Sequence, residues 1–184
     1  MKLYTRRGDE GETGLFLGGR VSKADLRIEA CGAADTAVSA MGLARALCVD
    51  PRVKEILLAV QRQMFTVGAE LATGPSNIDK LDELVPRITS ETVAGLEKTI
   101  DELRSAIDLP RAFIVPGASA GSGALDLARS LLRTAERRVV ALNEDGNLAN
   151  LELLRFMNRL SDLLFVLARY EDRAMSFELV TGEG

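Results

Sequence analysis

Apolar residues recur in this chain at spacings of three and four, and that period restricts most of it to amphipathic helices. The clearest case runs from about Val53 to Ala72, where Val53, Ile56, Leu57, Val60, Met64, Val67, Gly68 and Leu71 form one stripe. Lys54, Glu55, Gln61, Arg62 and Glu70 occupy the opposite face. An Ala-rich segment from Leu26 to about Leu47 precedes it, and three more segments of helical period follow, at about Thr89–Ile107, Ser122–Leu142 and Leu148–Tyr170. The third opens in the hydroxyl-rich "ITSET", which can cap it, with Glu91 in the favourable first turn. Residues 73–86, "TGPSNIDKLDELVP", break the pattern with Gly74, Pro75 and Pro86 and read as a long, mobile connection. Residues 109–124 read as an apolar turn leading into the fourth helix, and "NEDGN" as a turn into the fifth. Five helices without a convincing strand predict an all-α fold: an antiparallel five-helix bundle, one domain over residues 1–184, with an irregular Gly-rich N-terminal loop, residues 1–25, within it.

Charge and composition narrow the chemistry. A chain of 184 residues is long enough for a real core, and 23 basic against 27 acidic side chains leave no general positive field for nucleic acid or anionic lipid. Any anion site must be local. Cys31 and Cys48 make no disulfide framework and no CxxC pair; they read as reduced and buried, which suits a cytoplasmic protein. No apolar run approaches membrane-spanning length. The chain has no histidine, which removes the Ser-His-Asp triad, an imidazole base, a His-containing zinc site and a His–cobalt bond in one stroke. Catalysis by positioning and charge remains.

Two places could supply it. In "ARSLLRTAERRVVALN", residues 128–143, Arg129, Arg133, Glu136 and Arg137 fall within roughly 100° of helical arc, with Asp126 among them. Such a face can be solvated and laced by i,i+3 and i,i+4 pairs. It can also face a ligand together with Asn158, Asp162 and Arg169 of "FMNRLSDLLFVLAR", because arginine forks suit phosphate oxygens while Asn and Glu serve a base or ribose. The second place is "TRRGDEGETGLFLGGRVSKAD", residues 5–25, whose five glycines allow backbone N–H groups to converge on an anion near Arg20 and Lys23. No Walker pattern is present, and a flexible tail is the alternative reading.

Taken together, "YTRRGDEGETGLF…RVSK", "EACGAAD", "VQRQMFTVGAELA", "FIVPGA", "LARSLLRTAERRVV" and "MNRLSDLLFVLAR" resemble, in order and over nearly the whole chain, the PduO-type ATP:cob(I)alamin adenosyltransferases. The resemblance implies a homotrimer with active sites between subunits. It implies transfer of the 5′-deoxyadenosyl group from MgATP to the cobalt of cobalamin, with magnesium held through ATP and not by side chains. A reductase and a cobalamin-dependent enzyme are the further partners it suggests. A binding and delivery protein of the same fold, holding ATP or a corrinoid with little turnover, is the alternative. The family's ATP contacts fall on Thr5, Arg6, Arg7, Gly8, Thr13, Gly14 and Lys23, on the block Arg133, Thr134, Ala135, Glu136 and Arg137, and on Asn158. Arg129 matches an arginine that pairs with an aspartate of the neighbouring subunit, here Asp35; with Arg133 these form the expected catalytic set. Phe113 matches an aromatic residue on the cobalamin side that helps displace the lower axial base; a core phenylalanine is its bland reading.

The chain departs from the family pattern at several points. "TGDDGTTG" is here "RGDEGETG", placing Arg7 and Glu12 where threonines are usual. "VDELN" is "ADTAV" and "RRAER" is "RTAER", with Thr134 for an arginine. Asp126 stands where a histidine is common.

Overall fold

The computed structural model describes Tyr4 and residues 6–180. Its described residues are mostly helical: α1 (Leu26–Leu47), α2 (Pro51–Leu71), α3 (Ile78–Asp82), α4 (Ser90–Arg104), α5 (Ala120–Glu144) and α6 (Glu152–Glu171). A two-stranded antiparallel sheet, β1 (Glu12–Gly14) and β2 (Arg20–Ser22), precedes them.

Local chemistry sets most boundaries. Asp50 caps α2 through the backbone N–H groups of Arg52 and Val53, with Pro51 at the first helical position, where its missing N–H costs nothing. Reciprocal capping boxes, Thr89 with Thr92 and Ser119 with Ser122, start α4 and α5. Ser122 is therefore the third residue of α5, not its first. At the other end of α4, Ala106 and Ile107 bond back to Leu103 and Arg104 in tightened turns, so the helix stops three residues short of the expected Ile107. α6 begins at Glu152, not at Leu148, once the Asn150 side chain has accepted from the Glu152 N–H.

Two expectations need correction. The N-terminal segment is not irregular throughout: Glu12 pairs with Ser22, Thr13 with Val21 and Gly14 with Arg20. Gly18 and Gly19, at φ 108° and 87°, turn the chain between the strands, and Phe16 N–H donates to Ala72 O at 2.9 Å, docking this hairpin on the end of α2. The connection after α2 is structured too, with a 3₁₀ turn at Pro75–Asn77 and then α3, anchored by fully buried Leu81.

One continuous hydrophobic cluster draws residues from α1, α2, α4, α5 and α6, including Met41, Leu57, Met64, Leu103, Leu132, Phe156 and Leu164. Each long helix runs opposite to the one before it. α5 packs on both α1 and α6. However, α4 packs against α6 with both starting at the same end, where Asn150 reaches Ile88 O at 2.9 Å, so that pair is parallel. Buried Glu70 ties this end together, accepting from Ile88 N–H at 2.7 Å and from the Asn150 amide at 2.8 Å and ion-pairing with Arg87 at 3.1 Å. Buried Arg27 does the same for the helix ends, donating to the carbonyls of Leu71, Thr73 and Asn147. At the opposite end the chain after α6 returns to the segment before α5: Val115 N–H donates to Glu178 O at 2.7 Å and Val180 N–H to Phe113 O at 2.9 Å.

Candidate functional site

The hairpin brings Lys23 onto the glycine-rich turn. Lys23 N–H donates to Gly11 O at 2.8 Å, and the side chain folds back so far that a Cβ on Gly8 would lie 3.2 Å from its ammonium. Arg20 pairs with Glu12 at 3.2 Å and donates to Arg7 O at 2.7 Å, joining the hairpin to the preceding turn. Arg6 holds a left-handed backbone, φ 59°, with its guanidinium over Tyr4 at 5.7 Å. Thr13 is half-buried and Gly14 exposed, while Thr5 lies outside the described residues. Lys23 then lines a groove of about 300 Å³ between α1 and α5, with Glu29 and Gly32 on one wall and Thr134 and Arg138 on the other.

The second half lies on another side of α5. Asn158 of α6 donates to Glu136 at 3.2 Å, and Arg137 donates to Thr134 at 3.0 Å. Arg129 and Arg133 line a cavity of about 420 Å³ between α4, α5 and α6, joined by Arg104 and Asp162 and backed by Leu109, Phe165 and Val166. It combines a cationic rim with an apolar wall. Thr134 and Arg138, one residue further along the helix than Arg133 and Arg137, turn toward the Lys23 groove instead. Lys23 and Arg133 thus line different cavities within one chain. Ala135, expected among the nucleotide contacts, has its methyl group fully buried in the core.

The charged seam also differs from the sequence reading. Asp126 and Arg169 are not on an exposed face: they are 5% and 2% exposed and paired with each other. Arg129 pairs with Asp126 of its own chain at 3.4 Å, while Asp35 lies exposed on α1. Phe113 is 85% exposed, which excludes the core reading; its segment carries Leu109 into the wall of the larger cavity. The return of residues 178–180 onto Phe113 went unread in the sequence, although "FELV" is a short β-prone run.

Both cysteines are free; Cys48 is buried and Cys31 half-buried. Burial is the main cause that pushes their thiols up, to about 12 and about 11. Among the described residues, no group of three or more His, Cys, Asp or Glu side chains is placed to hold a metal, and no helix is long and apolar enough to cross a membrane.

The family described as cobalamin adenosyltransferase matches residues 3–171. The corrinoid adenosyltransferase PduO of Salmonella typhimurium is 40% identical, the match covering 94% of this chain and 50% of that protein. The chain thus spans about half the length of the first curated relatives it matches. A corrinoid adenosyltransferase of Citrobacter freundii is 37% identical, with 93% and 95% of the two chains covered. Among solved structures, a phenylalanine-to-alanine variant of the PduO-type ATP:corrinoid adenosyltransferase from Lactobacillus reuteri, complexed with cobalamin and ATP, aligns with a TM-score of 0.87 and 30% identity over 97% and 98% of the chains. An arginine-to-lysine variant of the Lactobacillus reuteri enzyme, complexed with ATP, aligns with a TM-score of 0.85 and 30% identity over 96% and 99%.

Proposed function

The chain belongs to the cobalamin adenosyltransferase family, and we propose that it transfers the 5′-deoxyadenosyl group of ATP to the cobalt of cob(I)alamin, releasing tripolyphosphate. The observation that carries this reading is the α5–α6 face, where Arg133, Glu136 and Asn158 stand beside an arginine-rimmed cavity with an apolar wall.

The reaction needs no side-chain base. The electron pair on the reduced cobalt attacks C5′ of the ribose, the C5′–O bond breaks, and its electron pair leaves with the tripolyphosphate. Positioning the two substrates can lower such a barrier by several kcal/mol, up to about 7–11 in ideal cases. In this reading Arg133, Arg137, Lys23 and the loop amides stabilise the negative charge as it moves onto the phosphates. Magnesium, carried by ATP and not by side chains, would add to that charge stabilisation. Glu136 and Asn158 orient the nucleoside, and Arg129 belongs to the same cationic rim. Phe113, standing free of the core, works on the corrinoid and against its lower axial ligand.

Lys23 and Arg133 line separate cavities of one chain, so a single site needs the hairpin groove of one subunit against the α5–α6 face of another. That supports sites between subunits; the number of subunits, three, comes from the family resemblance, with each subunit acting as one bundle domain and Asp35 at the contact. Free thiols suit a cytoplasmic setting, and a reductase and a cobalamin-dependent enzyme would stand upstream and downstream.

The test is direct. Cob(I)alamin and MgATP mixed with the protein under reducing conditions should show the spectral change to adenosylcobalamin over many turnovers. One equivalent or less of product per subunit would instead identify a binding and delivery protein.

A further inference from the structure

Asp126 shares an arc of α5 with exposed arginines, yet its side chain is only 6% exposed. Two guanidinium groups enclose it. Arg129, one turn later, places Nε 3.4 Å from one carboxylate oxygen, and Arg169 from α6, itself 2% exposed, pairs directly with the other. Arg169 in turn lies over the Phe165 ring at 5.2 Å, and Phe165 walls the cavity that Arg129 and Arg133 line.

We propose that Asp126 is a positioning residue that aims Arg129 into that cavity. Asp126 cannot swing away, because doing so would leave Arg169 as an unpaired buried cation. It is therefore a fixed anchor on a helix face that otherwise carries the long side chains of Arg129, Arg133 and Arg137. It holds Arg129 by the inner nitrogen, Nε, which limits the rotamers of the stem and leaves both terminal nitrogens of the fork for phosphate oxygens. An own-chain carboxylate thus holds Arg129 from within the subunit, beside the contact with Asp35 of a neighbour that the resemblance implies. Pre-aiming one arginine beside Arg133 spares the ordering cost on ligand binding. The inference rests on reading the Arg129–Arg133 rim as the ATP-phosphate site.

Steady-state kinetics and MgATP titration calorimetry on Asp126→Asn, Asp126→Glu and Asp35→Asn test it. Asp126→Asn keeps shape and a hydrogen bond to Arg169 but removes the charge; it should raise KM for ATP and weaken MgATP binding about tenfold while kcat at saturating ATP changes little. Asp126→Glu should restore most of the loss, and Asp35→Asn should cost MgATP affinity less than Asp126→Asn. Wild-type KM and MgATP affinity in Asp126→Asn overturn the proposal, as does equal damage from Glu and Asn. If Asp126→Asn does not fold, the double variant Asp126→Asn/Arg169→Gln removes both buried charges together and must show the same loss of affinity; wild-type affinity there also overturns it. Absence of turnover in the wild-type protein would count against the transferase reading alone, since calorimetry needs no corrinoid.

Discussion

Asn158 on α6 donates its side-chain amide to Glu136 on α5 at 3.2 Å, where the two helices run antiparallel beside the arginine-rimmed cavity. The pair is solvent-facing, so it adds little to stability, within about 0.5 kcal/mol. Asn158→Ala is expected to leave the melting temperature unchanged and to weaken MgATP binding roughly tenfold by calorimetry. A fall in melting temperature with unchanged affinity would make it a structural bond only.

Arg133 is exposed and lines the cavity rim, and among the described residues no ion pair holds it there. Arg133→Ala should lower kcat/KM for ATP by about ten- to hundredfold, the value of one charged hydrogen-bonding group of about 1.5–3 kcal/mol. Sedimentation should show the same oligomer as the wild type. Wild-type kinetics at limiting ATP would sink the assignment.

Truncating Phe113 separates site from scaffold. A buried phenylalanine would cost about 3–5 kcal/mol, but a ring that is 85% exposed has little packing to lose. Phe113→Ala should melt with the wild type, keep its ATP dependence and form adenosylcobalamin more slowly from cob(II)alamin under reduction. An unchanged rate would remove Phe113 from the corrinoid side.

Gly121 is where α5 meets the end of α1. A Cβ there would stand 2.9 Å from Cys48 Cα and 3.1 Å from its sulfur. Alanine gains up to about 1 kcal/mol of helix propensity, but overpacking costs about 1–3 kcal/mol and the backbone of Cys48 cannot rotate aside. Gly121→Ala should therefore lower the melting temperature, and a rise would show that α1 and α5 can separate cheaply.

Burial raises the Cys31 thiol from 9.0 to about 11 and the Cys48 thiol to about 12. Two units mean about a hundredfold less thiolate at Cys31 near neutral pH, so iodoacetamide should modify the native protein far more slowly than the unfolded chain. Above pH 9 the unfolded thiols release protons that the folded ones keep, so stability is whole below pH 9 and declines up to about 11 for Cys31 and about 12 for Cys48. Urea melts from pH 8 to 10.5, with Cys31→Ala as the control, measure that slope.

The sequence by itself determined the helices and the residue types on their faces. Periodicity is local: Val53, Leu57, Val60, Met64, Val67 and Leu71 line one stripe whatever packs on it, and all six are buried. The ordered blocks that resemble a family were equally legible, since they depend on residue order alone. Boundaries were less so, because Ser119 and Thr89 act as caps only through bonds to particular N–H groups. Only the tertiary structure decided which polar residues along those faces are covered. Asp126 and Arg133 share an arc of α5, yet Arg169 of α6 pairs with one and covers it, while the other lies on the rim of a cavity that Ser161, Asp162 and Phe165 of the same helix also line. The same holds for the hairpin, whose strands have too few apolar residues to declare themselves and depend on docking against α2. It holds also for the separation of Lys23 from Arg133: their distance is set by the packing azimuths of α1 and α6 around α5, which no linear pattern encodes.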